Sequence, residues 1–255
     1  MAKTLIIEIE YPGLGDHLFH SHIPRVAKQT GKYDVVYISS RSPFRQADTK
    51  YLVWDLNPFV DGFIDEPGIT CGEASNYVNN TNEIHFMDEM MLAYGLDDGN
   101  RGHEPEIYYK PKFIEKYNKV IYDPNFVSWV GDIDKHDAMS YFKKNMIQFD
   151  SVMKLRNSKA LYIPKKKEIF IETTTLQEFC DLIYSSSKLY CLTSGTASLA
   201  AALKKPSIAF YGPGQHKGYH HSKYHTYTLI DKNVTHKIIN VLKQPIRVIK
   251  KYLKM

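Results

Sequence analysis

Three stretches of this sequence combine glycine with side chains that could bind a phosphate or take up a proton. The first, residues 13–16, reads Gly-Leu-Gly-Asp and closely follows the apolar run 5–7. Glycine lets a backbone turn sharply and approach a ligand closely, and Asp16 stands where a helix is expected to begin. Asp16 is therefore either the N-cap of that helix or a general base directed into a cleft. The paired glycines favour the base, because a cap does not require them.

This first turn does not match the phosphate-binding motifs of the common nucleotide-binding proteins. It is not G-x-G-x-x-G, and no acidic residue ends the second predicted strand, so the sequence disfavours NAD. The chain also contains no Gly-Lys-Ser/Thr tripeptide, which excludes a P-loop.

The second stretch, residues 193–198, reads Thr-Ser-Gly-Thr-Ala-Ser and lies between a predicted strand and a predicted helix. Free amide N–H groups and the helix dipole favour an anion at such a helix N-terminus. Gly195 lets the backbone approach that anion, while Ser194, Thr196 and Ser198 add hydroxyl groups. A diphosphate could be held in this way without a metal, although helix capping by the same residues stays an open alternative.

The third stretch, residues 211–221, follows the next predicted strand and is rich in glycine and histidine. The histidines at 216, 220, 221 and 225 suggest a metal site, but no acid or cysteine accompanies them. We therefore favour a cationic loop that covers the phosphates, with Gly212, Gly214, His216 and Lys217 as its contacts, and predict no metal site.

Strand-like and helix-like segments alternate along the chain, which predicts parallel sheets with helices on both faces. Ligands of such sheets bind at the carboxyl ends of the strands, where all three stretches lie. A polar segment rich in Gly and Pro, 97–111, predicts two Rossmann-like domains, 1–115 and 116–255, facing each other across a cleft. The predicted strands are 4–9, 33–38, 51–54, 59–64, 119–122, 169–172, 189–192 and 207–211. The first predicted helix ends at about 28, and Pro24 kinks it or delays its start. The other predicted helices span 86–94, 138–147, 175–186 and 197–203. Two short C-terminal helices, divided by Pro245, are expected to pack back toward the first domain.

Composition and charge place the chain among soluble globular proteins, at 43% hydrophobic and 24% charged residues. No apolar run approaches the roughly 18 residues of a membrane span, and the first residues do not form a signal peptide. Three cysteines without metal-ligand spacing predict reduced thiols in a cytoplasmic protein. The basic segment 232–254 forms either a solvated helix surface or a peripheral contact with an anionic membrane. It lacks the interleaved aromatic residues of nucleic-acid binders.

The order and spacing of the three stretches resemble glycosyltransferase family 9, the ADP-heptose:lipopolysaccharide heptosyltransferases, which have the GT-B fold. The resemblance is clearest at 5–16 and at 175–214, where TLQEFCDLIYSSSKLYCLTSGTASLAAALKKPSIAFYGP is similar to the family's helix–strand–turn–helix–strand run. The middle of the chain gives little match. Many members have Asp-Thr-Gly where this chain has Thr193-Ser194-Gly195, and a histidine where it has Ser198. The chain is also small for the class.

The resemblance implies an inverting, metal-independent glycosyltransferase that requires no cofactor. Its donor would be a nucleotide-diphospho-sugar and its acceptor a surface glycan or glycolipid, such as lipooligosaccharide or capsule. The enzyme would act in the cytoplasm or at the inner face of the cytoplasmic membrane. A nucleotide-sugar epimerase, which would turn over the donor alone, is one alternative, and a non-catalytic nucleotide-sugar-binding protein is another.

The expected site residues fall into three groups. Asp16 matches the family's proposed general base, and residues 194–196 match the turn that holds the donor diphosphate. We expect donor and phosphate contacts from Thr193, Ser194, Gly195, Thr196, Ser198, Gly212, Gly214, His216 and Lys217, and acceptor-side contacts from Gly13, Gly15, His17, His20 and Arg25.

Overall fold

A computed structural model of the chain describes residues 2–70, 85–165 and 169–232, which form two parallel sheets with helices packed on them. The N-terminal sheet has the order β1-β2-β3, and β1 pairs with β2 in the register Thr4↔Val35 to Ile7↔Ile38. Its strands are β1 (Thr4–Ile7), β2 (Val35–Ser39) and β3 (Gly62–Ile64).

The C-terminal sheet has the order β6-β5-β4-β7-β8-β9, and every pairing in it is parallel. The chain runs outward from β4 to β6 and then returns to β7 beside β4. A crevice opens at such a reversal, at the carboxyl ends of the two central strands. The strands are β4 (Val120–Tyr122), β5 (Ser151–Met153), β6 (Phe170–Ile171), β7 (Lys188–Leu192), β8 (Ser207–Tyr211) and β9 (His225–Leu229).

Helices connect the strands and cover both sheets. Pro24 lies in the first turn of the second helix, where its missing N–H costs nothing, so the predicted helix to 28 is two helices. Gly95 follows the fourth helix at φ +63°, as the sequence predicted. The helices are α1 (Leu14–His20), α2 (Ile23–Gln29), α3 (Ala47–Lys50), α4 (Phe86–Ala93), α5 (Lys135–Lys144), α6 (Leu176–Ser185) and α7 (Gly195–Ala202).

One hydrophobic core joins the two halves. It contains Leu5 and Ile38 of the N-terminal sheet together with Phe179 of α6 and Leu199 of α7. The second core, beneath β4 and β7, is largely aromatic, and Tyr190 of β7 stacks on Phe210 of β8 with ring centroids 5.7 Å apart. Helices α1 and α7 therefore pack on the same hydrophobic core.

The α/β class and the parallel sheets are as the sequence predicted. The strand predicted at 51–54 is wrong, because Tyr51–Asp55 continues α3 as a π-helical turn with Leu52, Val53 and Trp54 buried. Strands β5 and β9 were not predicted. The division between the sheets falls somewhere between residues 64 and 120, and the boundary at 115 stays a prediction. The predicted C-terminal helices and nearly all of the basic segment 232–254 lie outside the described residues.

Candidate active site

A cavity of about 570 Å³ lies between the two halves, within the size range of small-molecule sites. Its walls come from the turn before α1, the turn before α7, and the loops that follow β4 and β5. The last three lie at the carboxyl edge of the C-terminal sheet, at the reversal of strand order. The fold therefore brings the first two glycine-containing stretches into one site.

The N-termini of α1 and α7 contact each other, through residues that line this cavity. A Cβ added at Gly195 would lie 3.4 Å from the backbone N of Gly15, and one added at Gly15 would lie 3.5 Å from Cα of Gly195. The two glycines thus allow the helices to approach each other. The sequence assigned them to ligand approach, and the structure shows this additional reason for their small size.

Asp16 lines the cavity as the third residue of α1. The N-cap is Gly13, so the interpretation of Asp16 as the N-cap is wrong. Burial raises the pKa of the Asp16 carboxyl above its ordinary value, while the backbone N–H groups of Asp16 and Gly13 and the charge of Arg45 act in the opposite direction. A side chain on Gly13 would collide with Oδ2 of Asp16, so that glycine makes room for the carboxylate.

The N-terminus of α7 presents donor groups to the cavity. Among the described residues, the backbone N–H groups of Gly195 and Thr196 have no acceptor, and the buried Oγ of Ser194 has no partner. The hydroxyl groups of two neighbouring threonines are already engaged. Thr193 donates to Gln215, and Thr196 donates to Asp123. The available donors are therefore the two amides and the Ser194 hydroxyl.

The loop after β8 contributes Tyr219 and His221 to the cavity wall, but none of its predicted phosphate contacts lines the cavity. A Cβ at Gly212 would lie 2.6 Å from Cγ2 of Ile133, so Gly212 packs on the loop after β4. His216 accepts a hydrogen bond from the Gly218 N–H, and Lys217 begins a short 3-10 helix. Their positions do not fit the expected cover over the phosphates.

The predicted acceptor-side side chains also face away from the cavity. His17 donates from Nε2 to the carbonyl of Pro43, which leaves Nδ1 to accept from the Trp54 indole at 3.0 Å. His20 hydrogen-bonds the carbonyl of Asp16 through Nδ1, and Arg25 pairs with Glu106 at 2.8 Å. Burial lowers the pKa of both His17 and His20 to about 4. These neutral histidines pack on the side of α1 that faces away from the cavity, and they thereby position Asp16.

Several cavity residues are not predicted, because no sequence motif marks them. Arg45 reaches the site from the segment after β2, whose backbone is tied to Pro12. Arg156 follows β5, a strand that was not predicted. Four of the large exposed hydrophobic residues also line the cavity: Tyr11, Val127, Trp129 and Tyr219.

The described ranges contain neither a metal-binding cluster nor a membrane-spanning helix. Within them, no group of three or more His, Cys, Asp or Glu side chains is arranged to hold a metal ion. No helix there is both long enough and apolar enough to cross a bilayer.

No family model and no curated protein matches the sequence, but several solved structures match the fold. A glycosyl transferase family 9 protein from Veillonella parvula DSM 2008 aligns with a TM-score of 0.54 at 10% identity, over 95% of this chain and 89% of that one. The E. coli ADP-heptose LPS heptosyltransferase II gives 0.53 at 13% identity, over 89% and 90%. The dodecameric iron-containing glycosyltransferase TibC from enterotoxigenic E. coli H10407 gives 0.59 at 16% identity, over 89% of this chain and 62% of that one.

At these identities the likeness concerns the fold. It agrees with the two parallel sheets, with the cavity between them, and with the family that the sequence motifs resemble. The chain therefore has the GT-B-like fold of glycosyltransferase family 9 proteins.

Proposed function

We propose that this protein is a glycosyltransferase that moves a sugar from a nucleotide-diphospho-sugar to a surface glycan or glycolipid, such as lipooligosaccharide or capsule. One observation carries the proposal. A carboxylate with a raised pKa, Asp16, and the N-terminus of α7, with its unpaired donor groups, line the same cavity from opposite halves of the molecule.

The reaction follows from that juxtaposition. The acceptor hydroxyl oxygen attacks the anomeric carbon, the bond from that carbon to the diphosphate breaks, and the Asp16 carboxylate takes the hydroxyl proton. A hydroxyl is a poor nucleophile until its proton is removed, and a carboxylate within hydrogen-bond reach supplies the base. A single displacement of this kind inverts the anomeric centre.

In this proposal the protein itself, without a metal, supplies the positive potential that stabilises the leaving diphosphate. The free amides of Gly195 and Thr196 and the dipole of α7 are directed at an anion, and the Ser194 hydroxyl adds a third donor. Arg45 and Arg156 line the same cavity from opposite halves. These fixed groups stabilise negative charge as it develops.

The relatives support the donor class. One structure of the heptosyltransferase TibC, with a TM-score of 0.60 to this chain, contains ADP-D-beta-D-heptose. From that structure we carry over to this protein only the class of donor, a nucleotide-diphospho-sugar.

A panel of UDP-, GDP-, ADP-, CMP- and dTDP-sugars tests this proposal by thermal shift. We expect at least one of the diphosphate donors, at a hundred times its Kd, to stabilise the protein by about 2.7 kcal/mol, which raises the Tm by roughly 5–10 °C. The CMP-sugar, with a single phosphate, should give a smaller shift. EDTA should leave the shift unchanged. A panel without any shift would contradict the proposal. Turnover of the donor in the absence of an acceptor would instead indicate the epimerase. Binding of the donor without turnover in the presence of any tested acceptor would indicate the non-catalytic protein.

Gly195→Val tests the placement of the diphosphate. The added methyl groups would press on Gly15, where a Cβ already comes within 3.4 Å, and would obstruct the free amides. We expect the affinity for nucleoside diphosphates to fall at least tenfold, with a loss of about 1–3 kcal/mol in stability from overpacking. Gly195→Ala is the matched control and should show smaller losses of both. A folded valine variant with wild-type affinity would place the diphosphate elsewhere.

A further inference from the structure

Trp129 is a half-exposed indole in the cavity wall. It follows β4 and is 47% exposed, whereas the other tryptophan of the chain, Trp54, is fully buried. Exposing so large an apolar ring costs free energy unless a ligand covers it. None of the chemistry proposed above for transfer or diphosphate binding uses this side chain.

The loop that carries Trp129 is held in place from behind by the loop after β8. The Gly212 N–H donates to the carbonyl of Val130, and the Asp132 N–H donates to the carbonyl of Pro213, both at 2.7 Å. Gln215 adds a bond from Nε2 to the Trp129 carbonyl.

The indole itself also rests on that loop. Gly214, at φ +85°, lies against the indole, so that a Cβ there would be 3.3 Å from Cη2. The glycines that the sequence assigned to the phosphates therefore fix the position of Trp129.

The arrangement of the cavity restricts where a nucleoside can lie. With the diphosphate at the N-terminus of α7, the sugar must extend toward Asp16 in the N-terminal half. The nucleoside, attached to the other phosphate, must extend away from Asp16. From the loop after β8, the cavity is lined by Tyr219 and His221, whose rings pack on Phe86 and Phe19 of the N-terminal half. The space left along the C-terminal sheet is therefore the side of β4 and β5, where Trp129 lies.

We propose that the nucleobase of the donor stacks on the indole of Trp129, which sets how tightly the nucleoside part of the donor is held. This inference rests on the proposed function. An aromatic face accepts any nucleobase, so Trp129 supplies affinity, and the polar groups around it select among the bases.

The other two exposed aromatic residues of the cavity, Tyr11 and Tyr219, are placed less well for this role. Tyr11 belongs to the turn before α1, on the side of Asp16. Tyr219 is stacked on Phe86, with ring centroids 6.3 Å apart. Tyr11→Leu therefore serves as a matched control, because it removes an exposed aromatic ring from the same cavity.

The test compares nucleoside diphosphates (ADP, UDP, GDP and CDP) with inorganic pyrophosphate, measured by calorimetry. We expect Trp129→Leu to weaken binding of the preferred nucleoside diphosphate by roughly 10- to 100-fold and to leave pyrophosphate binding unchanged. Trp129→Phe should retain affinity within a few fold, and Tyr11→Leu should resemble the wild type.

Intrinsic fluorescence gives a second readout, because Trp129 is the exposed one of the two tryptophans. Binding of a nucleoside diphosphate should quench the wild-type emission, pyrophosphate should not, and Trp129→Phe should show no quenching. Unchanged nucleotide affinity in Trp129→Leu, or an equal loss for pyrophosphate, would overturn this inference and leave the proposed function standing. A wild-type protein that binds no nucleoside diphosphate would overturn both.

Discussion

Replacing Asp16 with asparagine is expected to lower turnover by about 10²–10⁴-fold, the usual contribution of a general base. Asparagine keeps the shape of the side chain and one oxygen that can accept from the backbone N–H groups at the start of α1. It removes only the basicity. Since burial already disfavours the charged carboxylate, the Tm and the affinity for nucleoside diphosphates should stay nearly unchanged.

The control for this variant is Glu10→Gln, which removes the same charge from an exposed position that does not line the cavity. Its turnover should match the wild type. An Asp16→Asn protein with near-normal turnover would remove the base from the mechanism. The pH profile gives a further check. The acid limb of kcat/KM should lie above the ordinary pKa of an aspartate, because burial raises the pKa of Asp16, and the limb should be absent in the asparagine variant.

The sequence predicted the parts of the fold whose signals are local. Alternating apolar and amphipathic segments gave the parallel sheets, and the pattern at 175–186 gave α6, whose Leu176, Phe179, Leu182 and Ile183 are all buried. The strand predicted at 51–54 is wrong because a short apolar segment that is buried on all sides has the same sequence pattern in a strand as in a helix. Strand β5 spans only Ser151–Met153 and pairs with β4 for two residues, which is too short to form a pattern.

The candidate site could be predicted only where a motif marks it. The two glycine-containing turns carry their own signal, and on it the sequence predicts Asp16 and residues 194–196, which line the cavity. Arg45, Arg156 and Trp129 come to the cavity through the crossing of distant segments, and no neighbour in sequence marks them. The positions of His17 and His20 next to a motif predict ligand contacts. Both side chains are instead buried, His17 against Trp54 and His20 against the backbone of α1. Proximity in sequence to a turn does not tell which face of the following helix a side chain occupies.

Acidification from pH 7 to pH 5 is expected to destabilise the protein by several kcal/mol. His20, His22 and His221 are buried, and burial lowers their pKa values to about 4, 3 and 3. Within the described residues, both ring nitrogens of His22 and Nε2 of the other two have no hydrogen-bond partner. A proton on any of them would therefore be an uncompensated buried charge, whereas the unfolded chain takes up that proton near pH 6.5.

The sign of the effect follows from these lowered pKa values. Below pH 6.5 the unfolded state binds more protons than the folded state, so the free energy of unfolding falls as the pH falls, by about 1.4 kcal/mol per pH unit for each group. The loss continues toward pH 4 and then 3, where the folded state is protonated as well. His103 acts in the opposite direction, because its hydrogen bond to Asp88 raises its pKa and favours the folded state at low pH. The pKa of His17 is lowered to about 4 as well, so the histidines with lowered pKa values outnumber His103 and leave a net loss.

Urea unfolding between pH 5 and pH 7 measures this slope, and two variants separate its cause. His22→Leu removes one of these groups and should reduce the loss of stability between pH 7 and pH 5 by about 2 kcal/mol. Leu18→Ala, a change of a fully buried side chain in α1, should lower stability by about 2–5 kcal/mol at every pH and leave the slope unchanged. A wild-type stability that is flat across this range would show that the buried histidines find partners for their protons.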